Sequence, residues 1–226
     1  MSDDIQKAKK AAGEKAVDFI EAGMTVGLGT GSTAYWAIQE IGRRVSEGLQ
    51  VRAIATSRES EDMARQLGIP LATFSEIEQI DIDIDGADEA DGRLQLIKGG
   101  GGALLREKII ASISRQFVVV IDEHKFVERL GRFPLPVEVI PFGWETVFRK
   151  ISVLQGTPVL RQKNGETYLT DNGNYILDCA FGNIQDPAAL QQTLHHIPGI
   201  VEDGLFLKMA TKAVIGYADG QVKIIG

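Results

Sequence analysis

Apolar and polar residues along the first 131 positions follow two patterns, one typical of helices and one of short buried strands. The first helical pattern begins after Ser2, a good capping residue, and runs to Gly23. Further helices are predicted over residues 33–48, 58–67 and 103–114. The strand-like runs between them are MTVGLG, VRAIAT, IDIDID and FVVVI. This alternation predicts right-handed crossovers and a parallel sheet with helices on both faces.

The pattern changes after Arg132, where FPLPVEVIPFGW places three prolines in eight residues. The predicted elements that follow are a strand at 135–139, a helix at 144–155, a hairpin turning at Asn164-Gly165, a strand at 175–181, a helix from 186 and a strand at 199–206. That order is typical of a split βαβ, ferredoxin-like unit. The last segment, KAVIGYADGQVKIIG, is expected to return two strands to the first sheet.

The sequence therefore predicts an α/β protein with a Rossmann-like domain and a smaller inserted α+β domain. We expect the first domain to comprise residues 1–131 and 207–226, and the second to comprise residues 132–206. The net charge of −7 argues against nucleic acid or an anionic membrane as a partner. The start of the chain lacks the apolar stretch of a signal peptide, and Cys179 is the only cysteine. We expect a cytoplasmic protein with a buried, unreactive thiol.

A glycine-rich turn, Gly27 to Thr33, follows the first predicted strand. Its small residues allow backbone N–H groups to approach an anion at a helix N-terminus, and its hydroxyl groups add donors. The segment lacks the lysine of a Walker loop, and a tight packing turn explains it equally well when it is taken alone. After the second strand, Thr56-Ser57-Arg58 lacks the acid that an NAD site requires, although Arg58 leaves an NADP site open.

The segment DIDIDGADEAD, residues 81–91, begins like a calcium-binding loop. Gly92 stands where that loop requires a glutamate, so the calcium interpretation fails. The alternation with isoleucine predicts a strand, which leaves Asp85, Asp88 and Glu89 around the turn at its end. We expect these acids to face the ligand crevice, while a solvated turn is the alternative.

The segment IKGGGGALLREK, residues 97–108, places Lys98 and four glycines before a predicted helix that contains Glu107. A carboxylate near a helix N-terminus can accept a proton from carbon, while Lys98 and the exposed N–H groups stabilise negative charge on the neighbouring oxygen. This is the chemistry of an enolate. Taken alone, this segment favours an ordinary surface acid at Glu107, between Arg106 and Lys108, and only the combination with the other turns favours the base.

Together, these turns predict a site for a small phosphorylated carbonyl compound, with no metal and no cofactor. The histidines do not form a metal-ligand pattern, and His195 and His196 are expected to be structural at a helix end. Two alternatives remain open. One is a regulator that senses sugar phosphates, and the other is an NADP-dependent oxidoreductase.

Seven segments also resemble, in order and spacing, type A ribose-5-phosphate isomerases. They are GLGTGSTA, DGADE, KGGGGALLREK, DEHKFVERLG, FPLPVEVIPFGW, GNYILDC and IPGIVEDGLF. The resemblance implies a Rossmann-like fold with an inserted α+β domain. It also implies interconversion of ribose 5-phosphate and ribulose 5-phosphate without metal or organic cofactor, by a homodimer or homotetramer.

The resemblance also implies roles for individual residues. Glu107 would be the base that moves a proton between C1 and C2, and Asp85 and Asp88 would handle ring opening and hydroxyl groups. Lys98 would stabilise the intermediate. Leu105 and Asp83 depart from the family's usual residues. The remaining implied substrate contacts are Lys9, Thr30, Gly31, Ser32, Thr33, Gly86, Ala87, Gly99, Gly100, Gly101 and Lys125.

Overall fold

The computed structural model describes residues 3–226, so the predicted capping residue Ser2 lies outside the described part of the chain. The helices are α1 (Asp3–Ala16), α2 (Ala34–Ser46), α3 (Arg58–Gln66), α4 (Leu104–Ser112), α5 (Trp144–Val153) and α6 (Pro187–His195). The strands are β1 (Thr25–Leu28), β2 (Arg52–Ala55), β3 (Ile80–Gly86), β4 (Glu89–Ala90), β5 (Leu96–Ile97), β6 (Ser114–Asp122), β7 (Leu135–Val139), β8 (Thr157–Leu160), β9 (Gln162–Lys163), β10 (Glu166–Thr167), β11 (Tyr175–Ala180), β12 (Ile200–Asp203), β13 (Leu205–Phe206), β14 (Lys212–Gly216) and β15 (Val222–Ile225).

Contacts within the chain define two units. The first comprises residues up to Ala87, Arg106–Phe126 and Lys208–Gly226, and the second comprises Asp88–Leu105 and Val127–Leu207. The domain boundaries predicted from the sequence differ from this division mainly at residues 88–105, which the prediction assigned to the first domain. Within residues 3–226, none of the helices combines the length and the apolar character needed to cross a bilayer.

The first unit is built on a six-stranded sheet in the order β15-β14-β6-β3-β1-β2. Five of its strands are parallel, and β15 pairs antiparallel with β14. Helices α1 and α2 contribute Ala12 and Ile41 to the core that covers Val26 and Leu28. The Rossmann-like prediction and the return of the last segment to this sheet are confirmed.

The first helix is shorter than predicted. A 3-10 turn at Val17–Phe19 follows α1, and Ile20 then adopts an extended backbone conformation with φ −86° and ψ 129°. The side chain of Ile20 is buried in the core of the first unit. The helix therefore ends earlier than the periodicity indicated, and the extended segment after it carries the buried side chain of Ile20.

The side chains of Asp83 and Asp85 on β3 occupy the space that side chains at Gly27 and Gly29 would need. A Cβ atom on Gly27 would lie 2.5 Å from Oδ1 of Asp83, and one on Gly29 would lie 2.2 Å from Oδ1 of Asp85. Glycine is therefore required where these two acids pack across the first strand. This packing accounts for the burial of Asp83, and Asp81 accepts a 2.8 Å hydrogen bond from the Thr25 N–H.

The second unit contains a four-stranded antiparallel sheet in the order β12-β7-β11-β8, joined by α5 and α6. This βαββαβ order is the split βαβ arrangement that the sequence predicted. Asn164 and Gly165, with φ of 56° and 83°, form the predicted turn, which joins β9 to β10. Cys179 is buried in β11, and burial raises the pKa of its thiol, so the thiol is held in its unreactive protonated form.

A second, three-stranded sheet in this unit, β13-β5-β4, was not predicted. Each of its strands has only two residues, too few to show an alternating pattern. The predicted strand at 199–206 divides at Gly204. The Gly204 N–H donates to the carbonyl of Pro136 at 2.8 Å, and its own carbonyl accepts from the Lys98 N–H at 2.9 Å. Gly204 thereby links β7 to the segment that carries Lys98.

Glu138 predicts a pH dependence of stability. The buried side chain accepts hydrogen bonds from Thr170 Oγ1 and Asn174 Nδ2, and removal from water raises the pKa of its carboxyl. Because the folded state then binds this proton more tightly than the unfolded state, the free energy of unfolding falls as pH rises toward and through the folded-state pKa. Relative to Glu138→Gln, the unsubstituted chain should lose about 1.4 kcal/mol per pH unit between the unfolded-state and folded-state pKa values.

Chemical denaturation at about pH 5 and pH 8 measures this difference. Glu166→Gln, at an exposed position on β10, is the control and should show no comparable change. An advantage over Glu138→Gln that grows with pH would contradict the prediction.

Candidate active site

The turn between β1 and α2 presents only part of its predicted anion-binding surface. Thr30 Oγ1 lies within hydrogen-bond distance of the hydroxyls of Thr56, Ser57 and Ser60, so this hydroxyl helps to build the turn. Thr33 is buried and adds no side-chain cap to α2. Gly31, with φ 103°, and Ser32 are exposed. They are therefore the residues of the turn that are open to solvent.

Lys9 supplies a cation to this turn. Its side chain on α1 is buried, and Nζ donates a 2.9 Å hydrogen bond to Ser32 Oγ. Without the family resemblance, a lysine in this helix would be expected on the surface, but Lys9 is buried. The sequence does contain a signal for this burial, because helical periodicity places Lys9 on the same face as Ala12, Gly13 and Ala16, which are also buried. An ammonium group beside exposed backbone amides favours a phosphate.

The turn borders a cavity of about 360 Å³ within the first unit. The lining of this cavity includes Gly31, Ser32, Trp36 and Met63. Its volume suits a small ligand. Asp85 and Glu107 are not among the lining residues.

Asp85 attaches the end of β3 to the same turn. Its side chain is fully buried, and Oδ1 accepts hydrogen bonds from the Thr30 N–H at 2.9 Å and the Gly86 N–H at 2.7 Å. These bonds to a carboxylate are charge-assisted and strong. The structure thus joins the predicted turn Gly27–Thr33 to the predicted acidic segment 81–91.

Glu107 is not a surface acid. It lies in the first turn of α4, and only 3% of the residue is exposed. The positive end of the helix dipole favours a carboxylate at this position. The surface alternative raised by the flanking Arg106 and Lys108 is therefore wrong, and the side chain is shielded from bulk water.

Lys125 lies in the 3-10 turn that follows β6. Its Nζ donates a 2.7 Å hydrogen bond to the carbonyl of Ala87. The contact places this predicted lysine against the DGADE segment, two residues beyond Asp85. Lys9, Asp85, Glu107 and Lys125 thus all belong to the first unit.

The remaining predicted residues belong to the second unit. The Gly100 N–H donates a 2.7 Å hydrogen bond to Oδ2 of Asp88, and the Gly102 N–H donates to the Gly99 carbonyl at 2.9 Å. Gly99 and Gly102 have φ of 102° and 87°. A Cβ on Gly100 would lie 2.5 Å from Asp88 Oδ1. Backbone conformation and close packing therefore each require glycine in this run.

Lys98 is almost fully buried, with 1% exposed, and its ammonium lies 5.5 Å from the ring centroid of Phe206. Burial of a cation is costly, and an aromatic face recovers part of that cost. The Lys98 N–H bond to Gly204 fixes the backbone. A buried cation with a fixed backbone is suited to stabilising negative charge.

Two residues that support the glycine run were not found from the sequence. Arg161 forms an ion pair with Asp178 and donates through Nη1 to the carbonyls of Gly99 and Gly100 at 2.9 and 3.2 Å. Tyr168 donates to the Gly101 carbonyl at 3.4 Å. No local motif marks these side chains, because the contacts are made between residues far apart in the chain.

Glu89 does not face a ligand crevice as expected. It is fully buried, and it accepts hydrogen bonds from the N–H groups of Gly131 and Phe133, both at 2.7 Å. A buried carboxylate needs such donors, and here they hold the segment that leads into β7.

Arg58 begins α3, and Ser57 caps that helix through the Ser60 N–H at 3.1 Å.

Known proteins similar to the chain agree on one family. Residues 52–220 match the family described as ribose 5-phosphate isomerase A (phosphoriboisomerase A). A ribose-5-phosphate isomerase A of Bacillus mycoides is 51% identical over 217 residues, which cover 96% of this chain and 98% of that protein. A ribose 5-phosphate isomerase of Plasmodium falciparum has a similar structure, with a TM-score of 0.94, 39% identity and 98% of each chain covered.

A further solved structure, of a D-ribose-5-phosphate isomerase in complex with phospho-erythronic acid, has a TM-score of 0.94 and 37% identity. It covers 100% of this chain and 99% of the other. These relatives support neither the regulator nor the NADP-dependent oxidoreductase. The chain belongs to the ribose 5-phosphate isomerase A family.

Proposed function

We propose that this chain interconverts ribose 5-phosphate and ribulose 5-phosphate by proton transfer through an enediolate, with Glu107 as the base. The burial of Glu107 in the first turn of α4 carries the proposal. Its carboxylate accepts the C2 proton of the open-chain aldose, the C2–H electron pair forms the C1=C2 double bond, and the π pair of the carbonyl moves onto the C1 oxygen. Transfer of the O2 proton to the C1 oxygen, re-formation of the carbonyl at C2 and return of the proton from Glu107 to C1 then give the ketose.

Lys98 and the N–H groups of Gly99 and Gly101 stabilise the oxygen that becomes negative, and Gly100 keeps its N–H bonded to Asp88 between them. This role rests on the burial of the ammonium and on the bonds that hold the glycine run. Asp88 assists at the sugar hydroxyls and also positions the Gly100 amide.

In this proposal, Asp85 helps to open the sugar ring and holds the phosphate-binding turn through Thr30 and Gly86. Ala87 belongs to the same substrate-binding segment, which Lys125 holds through the Ala87 carbonyl. Thr33 contributes to the turn at the start of α2.

Gly31, Ser32 and Lys9 bind the phosphate. The exposed position of the first two and the Lys9–Ser32 hydrogen bond support this assignment. The phospho-erythronic acid bound by the solved relative also fits, because it carries a phosphate and a planar carboxylate. A planar anion of this kind resembles an enediolate in shape and charge.

We propose that the chain works in the cytoplasm as a homodimer or homotetramer. The second unit supports self-association because it exposes large apolar residues, among them Phe142 at 89%, Val153 at 82% and Val159 at 60%. The single cysteine is consistent with a reducing compartment.

Replacing Glu107 by glutamine should lower kcat by about three orders of magnitude and change KM little, because a positioned base contributes about 10²- to 10⁴-fold. Formation of ketose from ribose 5-phosphate measures the rate. The matched control is Glu145→Gln, an exposed acid in the first turn of α5, which should retain full activity. Near-normal turnover by a folded Glu107→Gln variant would remove Glu107 from the mechanism.

Replacing Ser32 by alanine should raise KM by about 10-fold or more with a smaller change in kcat. A hydrogen bond to a charged group is worth about 1.5–3 kcal/mol, and phosphate is held equally in ground and transition states. Ser46→Ala, at the exposed far end of α2, is the control. A loss confined to kcat would contradict the phosphate assignment.

A further inference from the structure

A histidine and two carboxylates converge in the second unit, where α6 ends and β12 lies. His195 Nε2 is 2.9 Å from Asp203 Oδ2 and 3.2 Å from Glu202 Oε1. One ligand atom from each residue lies within 4.8 Å of the other two. None of these residues belongs to the proposed sugar-phosphate site.

The cluster is held in place by other groups of the same unit. Asp203 is fully buried, and its Oδ1 accepts from Gln191 Nε2 at 3.1 Å and from the Leu205 N–H at 2.8 Å. These bonds direct Oδ2 toward His195. Glu202 Oε1 accepts from the Asp203 N–H at 2.9 Å. Orientation of ligand side chains by surrounding hydrogen bonds is a common property of metal sites.

The spacing and charge of the cluster suit a divalent transition-metal ion. Zinc bonds of about 2.0–2.2 Å in tetrahedral geometry separate neighbouring N and O ligand atoms by about 3.3 Å, close to the two observed distances. Two carboxylates with a neutral imidazole carry a charge that a dication neutralises. The His195 side chain is 47% exposed, so an ion can reach the cluster from solvent.

We propose that His195 Nε2, Glu202 Oε1 and Asp203 Oδ2 bind a divalent transition-metal ion of the Zn²⁺ class, with water completing the coordination. The ion takes the place of the hydrogen that His195 now shares with the two carboxylates. The ion links the end of α6 to β12 and stabilises the second unit. Gly204 follows Asp203 directly, and its carbonyl accepts a hydrogen bond from the Lys98 N–H. The bound ion therefore also restrains the backbone around Lys98.

The test is a Zn²⁺ titration of the chelator-treated full chain against a competing fluorescent chelator, with the thermal unfolding midpoint measured with and without Zn²⁺. We expect one bound ion and a higher midpoint in its presence. His195→Ala and Glu202→Gln should each weaken binding by about tenfold or more and reduce the shift in midpoint.

The matched control is His196→Ala, because His196 is the exposed neighbour and its Nδ1 faces the Gln192 carbonyl at 2.6 Å. This variant should bind Zn²⁺ like the unsubstituted chain. The two substituted ligands lie on different elements, so a folding defect in one variant leaves the other informative. Equal Zn²⁺ affinity in the unsubstituted chain and both ligand variants, or no binding at all, would overturn the proposal and leave the cluster as an ion pair only.

Discussion

The hydrogen bonds that the Asp85 carboxylate accepts from Thr30 and Gly86 are the constraint on which the candidate site depends. They hold the turn after β1 to the end of β3, and a buried carboxylate without such donors would be costly. Gly29 is required because a side chain there would occupy the place of Asp85. One acid therefore fixes the position of the turn whose exposed residues, Gly31 and Ser32, we assign to phosphate.

The fold was largely predictable from the sequence because its long elements repeat apolar residues with clear periods. The parallel sheet and the antiparallel unit with its Asn164-Gly165 turn follow from those periods and from turn chemistry. The sheet β13-β5-β4 could not be predicted, because two-residue strands have no period. Its pairing depends instead on Gly204 and other residues distant in sequence.

A site residue could be predicted from the sequence where an ionisable side chain lies at the end of a predicted strand, as Asp85 does. At other positions, the sequence did not show which charged side chains would be buried. Lys9 reads as a surface cation unless its helical face is considered, and Glu89 reads as a crevice acid although it braces the chain before β7. Arg161 has no local signal, since the Gly99 and Gly100 carbonyls that it contacts belong to a distant segment.

In the proposed mechanism, a protein carboxylate carries hydrogen between two neighbouring sugar carbons. The most direct measurement follows the C2 hydrogen of ribose 5-phosphate by proton NMR during repeated turnover in D₂O. A carboxylic acid exchanges its proton with solvent, so the account predicts progressive replacement of that hydrogen by deuterium as aldose and ketose interconvert. Full retention of the original hydrogen after many turnovers, together with an unchanged rate in a folded Glu107→Gln variant, would contradict the account.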